Sequence, residues 1–408
     1  VLFNVDKSFS GSVELLPEEF LCRSTIEDKI KRFWKKNGFV MIAAPVLENW
    51  DKLQVALDEK LIEKTIRFID RFGKVSVLSP DLTVSIARMV SARKKSGPFP
   101  LKYFYSSDVF RVTSEHSVIR QCGVEIIGAD KNTLADVELA VLIFMTLKEI
   151  GFNEIYLEIG NFEILKKLLD LDIIKHYRKV LFDSFLKKDW VTLNYIANEI
   201  KDPKISNFIK NLPSLTGTPD EVFSRIELIP DFLLPAFKNL ERISFEIKSA
   251  GVKHYINLSL INEISYYTGF IFQVFVPGSP NSIGGGGRYD DLYSLFNFNC
   301  PSSGFAIDLD KVYEILKTNY LKPINVDVLL CFNDGIPLHW VWNLAASYRD
   351  QGIKVEMDLR SRDFNEALEF SKNKRAKRMV YILKLESSGV SGWIVDTLSG
   401  NRERMTFC

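Results

Sequence analysis

Residues 257–275 read NLSLINEISYYTGFIFQVF, residues 282–292 read SIGGGGRYDDL and residues 302–311 read SSGFAIDLDK. Two runs rich in β-branched and aromatic residues, Tyr255 to Ile261 and Gly269 to Val276, stand on either side of a polar step from Asn262 to Thr268. Such runs predict a hairpin-like pair of strands with Tyr266 and Tyr267 at its bend. Gly284 to Gly287 then bring bare backbone beside Arg288, Tyr289 and Asp290. Glycines where backbone approaches a ligand, with tyrosines and an arginine next to them, suggest a site for a small polar molecule. A glycine-rich surface turn and two core tyrosines explain the same pattern, and the residues alone leave both readings open. Gly-Phe-Ala-Ile at 304–307 predicts a buried strand running into a helix that begins near Asp310.

SYYTG, GGGRYDDL and GFAIDLDK together resemble the histidine-specific part of histidyl-tRNA synthetases and their paralogues. Where the synthetases read Arg-Gly-Leu-Asp-Tyr-Tyr-Thr, this chain reads Asn262-Glu263-Ile264-Ser265-Tyr266-Tyr267-Thr268. Both tyrosines are kept, and the arginine has become Asn262.

Composition sets the frame for that resemblance. A chain of 408 residues suffices for two domains and an inserted third. Its 46% hydrophobic and 26% charged content is that of an ordinary globular protein. A net charge of +1 gives no global attraction for nucleic acid, although local basic patches can serve a tRNA-binding enzyme. The five cysteines (Cys22, Cys122, Cys300, Cys331, Cys408) show no paired spacing and read as thiols of a reducing cytosol. None of the four histidines has a metal-ligand spacing, so neither a metal nor a cofactor is expected. With no signal peptide and no run long enough to span a bilayer, the expected location is cytoplasmic, away from membranes.

Outward from the centre, Leu16-Pro17-Glu18-Glu19 predicts a helix start, and Asn37-Gly38 predicts its end. Pro45 to Glu48 resembles motif 1 of class II synthetases, which in that family helps to make a homodimer. Ile66–Asp70 and Lys74–Leu78 flank a turn at Arg71-Phe72-Gly73. Leu78-Ser79-Pro80-Asp81-Leu82-Thr83 resembles the family's Leu-Arg-Pro-Glu-Gly-Thr, whose acid and threonine hold the amino group of histidine. Asp81 could equally be a helix cap. Phe110-Arg111, with Gln121 and Glu125 on the return strand, resembles motif 2; its arginine grips the carboxylate and α-phosphate of an aminoacyl group, a task suited to the guanidinium fork. Thirteen residues lie between Arg111 and Glu125, fewer than in true synthetases.

The resemblance covers nearly the whole chain and implies an α+β fold. A class II aminoacyl-tRNA synthetase-like antiparallel sheet core is expected over residues 1–322, with a helical insertion at 161–245. The insertion follows the helical periodicity from Phe162 onward, broken by Pro203, Pro213 and Pro219. In the family such an insertion covers the tRNA acceptor stem or, in paralogues, touches a protein partner. Its lysines (Lys166, Lys167, Lys175, Lys187, Lys188) suit either role or a solvated face. Residues 323–408, alternating strand and helix as far as Ile382, are expected to form a three-layer α/β unit resembling the anticodon-binding domain.

Adenylation needs positive charge on the α-phosphate. Asn262 stands where the synthetases place an arginine, Lys311 replaces the motif 3 arginine, and Asp308 puts a carboxylate where glycine belongs. Losing one such donor costs about 2.7–4 kcal/mol in the transition state. The histidine-binding positions survive: Asp81, Thr83, Arg111, Gln121, Glu125, Tyr266 and Tyr267. Asn-x-Ile-Ser-Tyr-Tyr-Thr-Gly followed by Phe-Gln-Val-Phe resembles regulatory subunits of ATP phosphoribosyltransferase, paralogues with no catalytic residues of their own. That resemblance implies a hetero-octamer with the short-form catalytic subunit, activation of histidine biosynthesis and feedback inhibition by L-histidine, with tRNA not expected as a partner. The alternatives are a divergent histidyl-tRNA synthetase and an amino-acid-binding paralogue of other role.

Overall fold

The computed structural model describes residues 13–93, 98–113, 117–130, 133–262, 266–387 and 389–407. It divides into two compact units, Val1–Leu321 and Lys322–Cys408. A nine-stranded sheet organises the first. Its spatial order is Val40–Met41, Leu101–Phe110, Val118–Ile127, Ser302–Asp308, Gly284–Arg288, Phe270–Phe275, Tyr156–Asn161, His254–Asn257 and Thr216–Gly217. The pairings are antiparallel except between the first two strands and between Tyr156–Asn161 and His254–Asn257.

Alternation assigns the two faces of this sheet. Phe104, Val124 and Phe305 point to one face, which the helices Pro17–Lys36, Leu134–Glu149 and Leu309–Tyr320 cover. Trp34 pins that layer: its ring meets Phe104 and Phe305 edge-on at 5.8 Å, and its Nε1 donates to Thr146 Oγ1 at 2.8 Å. A buried indole with its one donor satisfied adds apolar area at no polar cost. The first helix begins as its sequence predicts, with Pro17 in the first turn and Glu19 Oε2 accepting from the Leu16 amide at 2.8 Å. On the other face, Tyr105 lies opposite Gly123 and Gly304 opposite Glu125. The candidate site is built there.

The hairpin expectation fails here, and one of the two readings of the glycine run is excluded. Tyr255–Ile261 and Gly269–Val276 are not a hairpin, because Tyr156–Asn161 lies between their strands, parallel to one and antiparallel to the other. The chain leaves the sheet between them, and Tyr266 and Tyr267 pack in a ring cluster with Tyr289 rather than at a two-strand bend. Glu263, Ile264 and Ser265 lie outside the described residues. Nor is the glycine run a surface turn: Gly284–Arg288 is an interior strand. A Cβ on Gly286 would collide with the Gly304 carbonyl, so bare backbone serves strand packing there. Arg288 does not serve a ligand. It is buried and paired with Asp136 at 3.0 Å and Asp290 at 3.3 Å. Burial nonetheless pushes the Asp136 carboxyl up to about 6, against the pull of Arg288.

From Phe162 to Ser249 the chain is mostly helical, with short helices closed on buried Ile164, Leu168, Leu181, Phe208 and Leu240. Pro203 and Pro219 occupy first turns, so they start helices rather than interrupt them. The two-residue strand Thr216–Gly217 returns this region to the sheet edge.

In the second unit the strand order is Val355–Met357, Val328–Phe332, Arg378–Glu386, Gly389–Asp396, Arg402–Phe407. Val328 and Leu330 face the helix Leu338–Asp350, and Leu329 and Cys331 face Phe364–Asn373, which gives three layers. The last two strands, antiparallel additions, were not expected from the sequence.

Glu27 ties the first helix to the sheet, accepting from Ser106 at 2.7 Å, from Arg120 at 2.9 Å and from Lys31. Burial alone would raise its carboxyl, but these donors outweigh burial and hold it at about 2. A carboxyl depressed on folding stabilises above its unfolded value, and that stabilisation is lost as pH falls from the ordinary 4.5 toward 2. Glu27→Gln should lose about 1–3 kcal/mol at neutral pH and show a flatter acid limb in urea titrations. An unchanged acid limb would rule this group out.

Candidate functional site

The helix Leu82–Arg93 follows directly on Asp81, a residue that reads from the sequence as either cap or ligand. One oxygen serves each. Oδ1 accepts from the Val84 amide at 3.1 Å, while Oδ2 faces Arg111 Nη2 and the Tyr266 hydroxyl, both at 3.4 Å. Burial pushes this carboxyl up, opposed by the Arg111 charge and by the Val84 and Thr83 amides. Arg111 follows the strand Leu101–Phe110 and is steadied by its Nε donating to the Pro80 carbonyl.

Thr83 Oγ1 donates to Glu125 Oε1 at 2.7 Å, and the Tyr289 hydroxyl donates to Oε2. With its hydrogen directed to Glu125, the Thr83 oxygen keeps its lone pairs for another donor. Glu125 is only 1% exposed, and burial pushes its carboxyl well above the usual range, with Thr83 opposing and Asp81 adding to the rise. Gln121 Oε1 accepts from the Tyr105 hydroxyl at 3.3 Å. Tyr266 and Tyr267 stand 5.1 Å apart, centroid to centroid, and Tyr266 meets Tyr289 at 5.5 Å.

These groups surround a cavity of about 440 Å³. Asp81, Thr83, Arg111, Gln121, Tyr266 and Tyr267 line it. Glu125 does not; it lies behind Thr83 and Tyr289 and holds both hydroxyls in place. Tyr289, beside the glycine run, also lines it, as do Tyr105 and Gln273, which were not singled out from the sequence as ligand residues. The signal for Tyr105 was the alternation Gln121-x-Gly123-x-Glu125: a Cβ on Gly123 would collide with the Tyr105 ring, so the glycine makes that room.

The far end is closed by polar groups that already have partners. Asn262 Oδ1 accepts from Gln273 Nε2 at 2.8 Å. Asp308 caps the helix Leu309–Tyr320 by accepting from the Lys311 amide at 3.1 Å, and Lys311 Nζ donates to the Ser282 carbonyl at 3.1 Å. Among the described residues, no group of His, Cys, Asp and Glu converges as a metal site. No helix there is long and apolar enough to cross a membrane.

A carboxyl raised on folding has the opposite linkage to Glu27. The folded state holds its proton to higher pH, so stability falls as pH rises from the ordinary 4.5 through the elevated folded value. Glu125→Gln should therefore lose less stability than wild type between pH 5 and pH 8 in urea titrations. An equal loss in both proteins would assign the slope to another group.

A family model described as histidyl-tRNA synthetase matches residues 11–312. The ATP phosphoribosyltransferase regulatory subunit of Desulfitobacterium hafniense (strain Y51) is 31% identical over 377 residues, covering 91% of this chain and 96% of that protein. The protein of the same name from Alkaliphilus metalliredigens (strain QYMF) is 31% identical over 322 residues, covering 76% and 81%. The solved structure of an ATP phosphoribosyltransferase regulatory subunit/histidyl-tRNA synthetase from Bacillus halodurans superposes with a TM-score of 0.81 at 25% identity, over 94% of this chain and 100% of that one. The class II synthetase-like sheet and the matches along most of its length lead to one conclusion: the chain belongs to the histidyl-tRNA synthetase-like family, on its ATP phosphoribosyltransferase regulatory subunit branch.

Proposed function

We propose that this chain is a non-catalytic regulatory subunit that joins a short-form ATP phosphoribosyltransferase catalytic subunit, activates it, and senses free histidine in the 440 Å³ cavity. The observation that carries this reading is the Asp81–Arg111 pair at 3.4 Å, a buried acid and a base placed side by side. An amino acid brings the complementary pair. Its ammonium replaces Arg111 as partner of Asp81 and reaches the lone pairs of Thr83, while its carboxylate takes the Arg111 fork. Tyr267, Gln121 and Tyr266 then surround the imidazole, with Glu125 orienting Thr83 and Tyr289 from behind.

The same cavity is poorly furnished for adenylation. Asn262 is engaged with Gln273, and the one cation beyond it, Lys311, is tied to a carbonyl beside the Asp308 carboxylate. Arg111 is the one guanidinium among the described residues of the lining, and with the amino-acid carboxylate on it no second fork is left for the α-phosphate. The chain acts in the cytoplasm, pairs with itself through the synthetase-like core, and assembles with catalytic subunits into a hetero-octamer in which tRNA has no part.

Co-purification with a short-form catalytic subunit tests the assembly. Phosphoribosyl transfer should require this chain and should fall when histidine is added. Arg111→Ala should still activate but bind histidine about 2–5 kcal/mol more weakly, thirtyfold or more, by calorimetry. Unchanged affinity would move the histidine site elsewhere. Histidine-dependent pyrophosphate exchange should stay at background, and a turnover near the ~10 per second of ordinary enzymes would favour the synthetase reading instead.

A further inference from the structure

A second and larger cavity, about 720 Å³, opens between the core segment Val55–Asp58 and the helices that follow Asn161. It shares Tyr266 and Tyr267 with the first and is otherwise separate from it. Its floor is apolar, with Leu169 and Leu292 buried and Phe162 and Phe182 half-buried. Its rim is basic. Of the cations there, Lys166 answers Asp291 at 3.3 Å and Arg178 answers Asp170 at 2.8 Å. Lys175 and Lys179 make no ion pair among the described residues, and Asp58, the other acid of the lining, is occupied in capping the helix Glu59–Glu63.

Two exposed ion pairs span the cleft from core to insertion, Lys60 to Asp183 at 3.4 Å and Lys166 to Asp291. Exposed pairs hold weakly, so the cleft can adjust to an occupant. Its volume lies in the range of small-molecule sites, roughly 300–1,000 Å³, and its lining divides almost evenly between apolar or aromatic side chains and polar or charged ones. A simple anion would use the rim and leave the aromatic floor wet. A purely apolar molecule would leave Lys175 and Lys179 unanswered.

We propose that this cavity is a second ligand site, for a nucleoside phosphate. The flat base lies against Phe162, Phe182 and Leu169, and the phosphate reaches Lys175 and Lys179. Because Tyr266 and Tyr267 wall both cavities, a ligand in one changes affinity in the other, reciprocally. That coupling rests on the histidine reading above; the second site does not.

Adenosine 5′-monophosphate titrated into the full chain by calorimetry tests the site, with adenosine and inorganic phosphate as parallel arms. Saturable binding is expected for the monophosphate, each part alone binding at least about tenfold more weakly. Reversing both rim charges, Lys175→Glu with Lys179→Glu, should weaken the monophosphate about tenfold or more while histidine binding persists as proof of folding. Lys311→Glu, in the first cavity, should leave the monophosphate unaffected. No saturable binding, binding indifferent to the rim reversal, phosphate binding as tightly as the monophosphate, or loss in Lys311→Glu would each overturn the assignment. Monophosphate binding without histidine binding would sink the histidine reading and leave this one standing.

Discussion

The site depends on side chains that are missing. At the middle of the nine-stranded sheet, Gly123 and Gly304 leave the face opposite the helices bare at two neighbouring positions. Tyr105 fills the space over one, and Glu125 with the Tyr289 hydroxyl fills the space over the other. Any larger residue would push these polar groups off the sheet and close the cavity from below. The helices bear the load on the opposite face, where Trp34 locks Phe104 and Phe305 with T-shaped contacts. One face is thus packed for stability and the other kept open.

Two glutamates show how the same side chain is used in opposite senses. Glu27 is held by two cations and a hydroxyl, which fix its charge and bind a helix to the sheet. Glu125 is fully buried, and burial disfavours its charge against the opposing Thr83 hydroxyl; what it contributes is orientation of the two hydroxyls that donate to it. The charged cluster around Glu27 builds the fold; the buried network around Glu125 aims Thr83 and Tyr289.

Much of this was legible in the residues. Alternation along the motif 2 strands predicts that Gln121 and Glu125 share a face, and the acid-rich first turn after Pro17 predicts the first helix. The sequence could not show that Glu125 stops one layer short of the cavity, because depth depends on Tyr289, 164 positions away and just past the end of the strand Gly284–Arg288. The hairpin reading failed for a similar reason: Tyr156–Asn161 inserts between two strands that are close in sequence, and local β propensity carries no information about an intervening distant strand. The last two strands of the second unit went unread because Gly389, Ser391 and Gly392 dilute the apolar alternation that Val390, Trp393 and Val395 supply. Arg288, which looked like a ligand residue, was claimed by Asp136 from a helix far earlier in the chain.

The mutual engagement of Asp81 and Arg111 gives the first cavity a property beyond affinity. With the two groups facing each other at 3.4 Å, the pocket is electrically balanced before anything enters. A guest with only a positive or only a negative group would take one member and strand the other in a poorly solvated place, at a cost of several kcal/mol, about 3–5 when a buried pair is broken. A guest carrying both charges on one carbon exchanges partners with no net change. On the proposed amino-acid reading, this balance would discriminate by charge symmetry, against amines and carboxylates that otherwise share the shape of an amino acid, before any contact with the side chain is made.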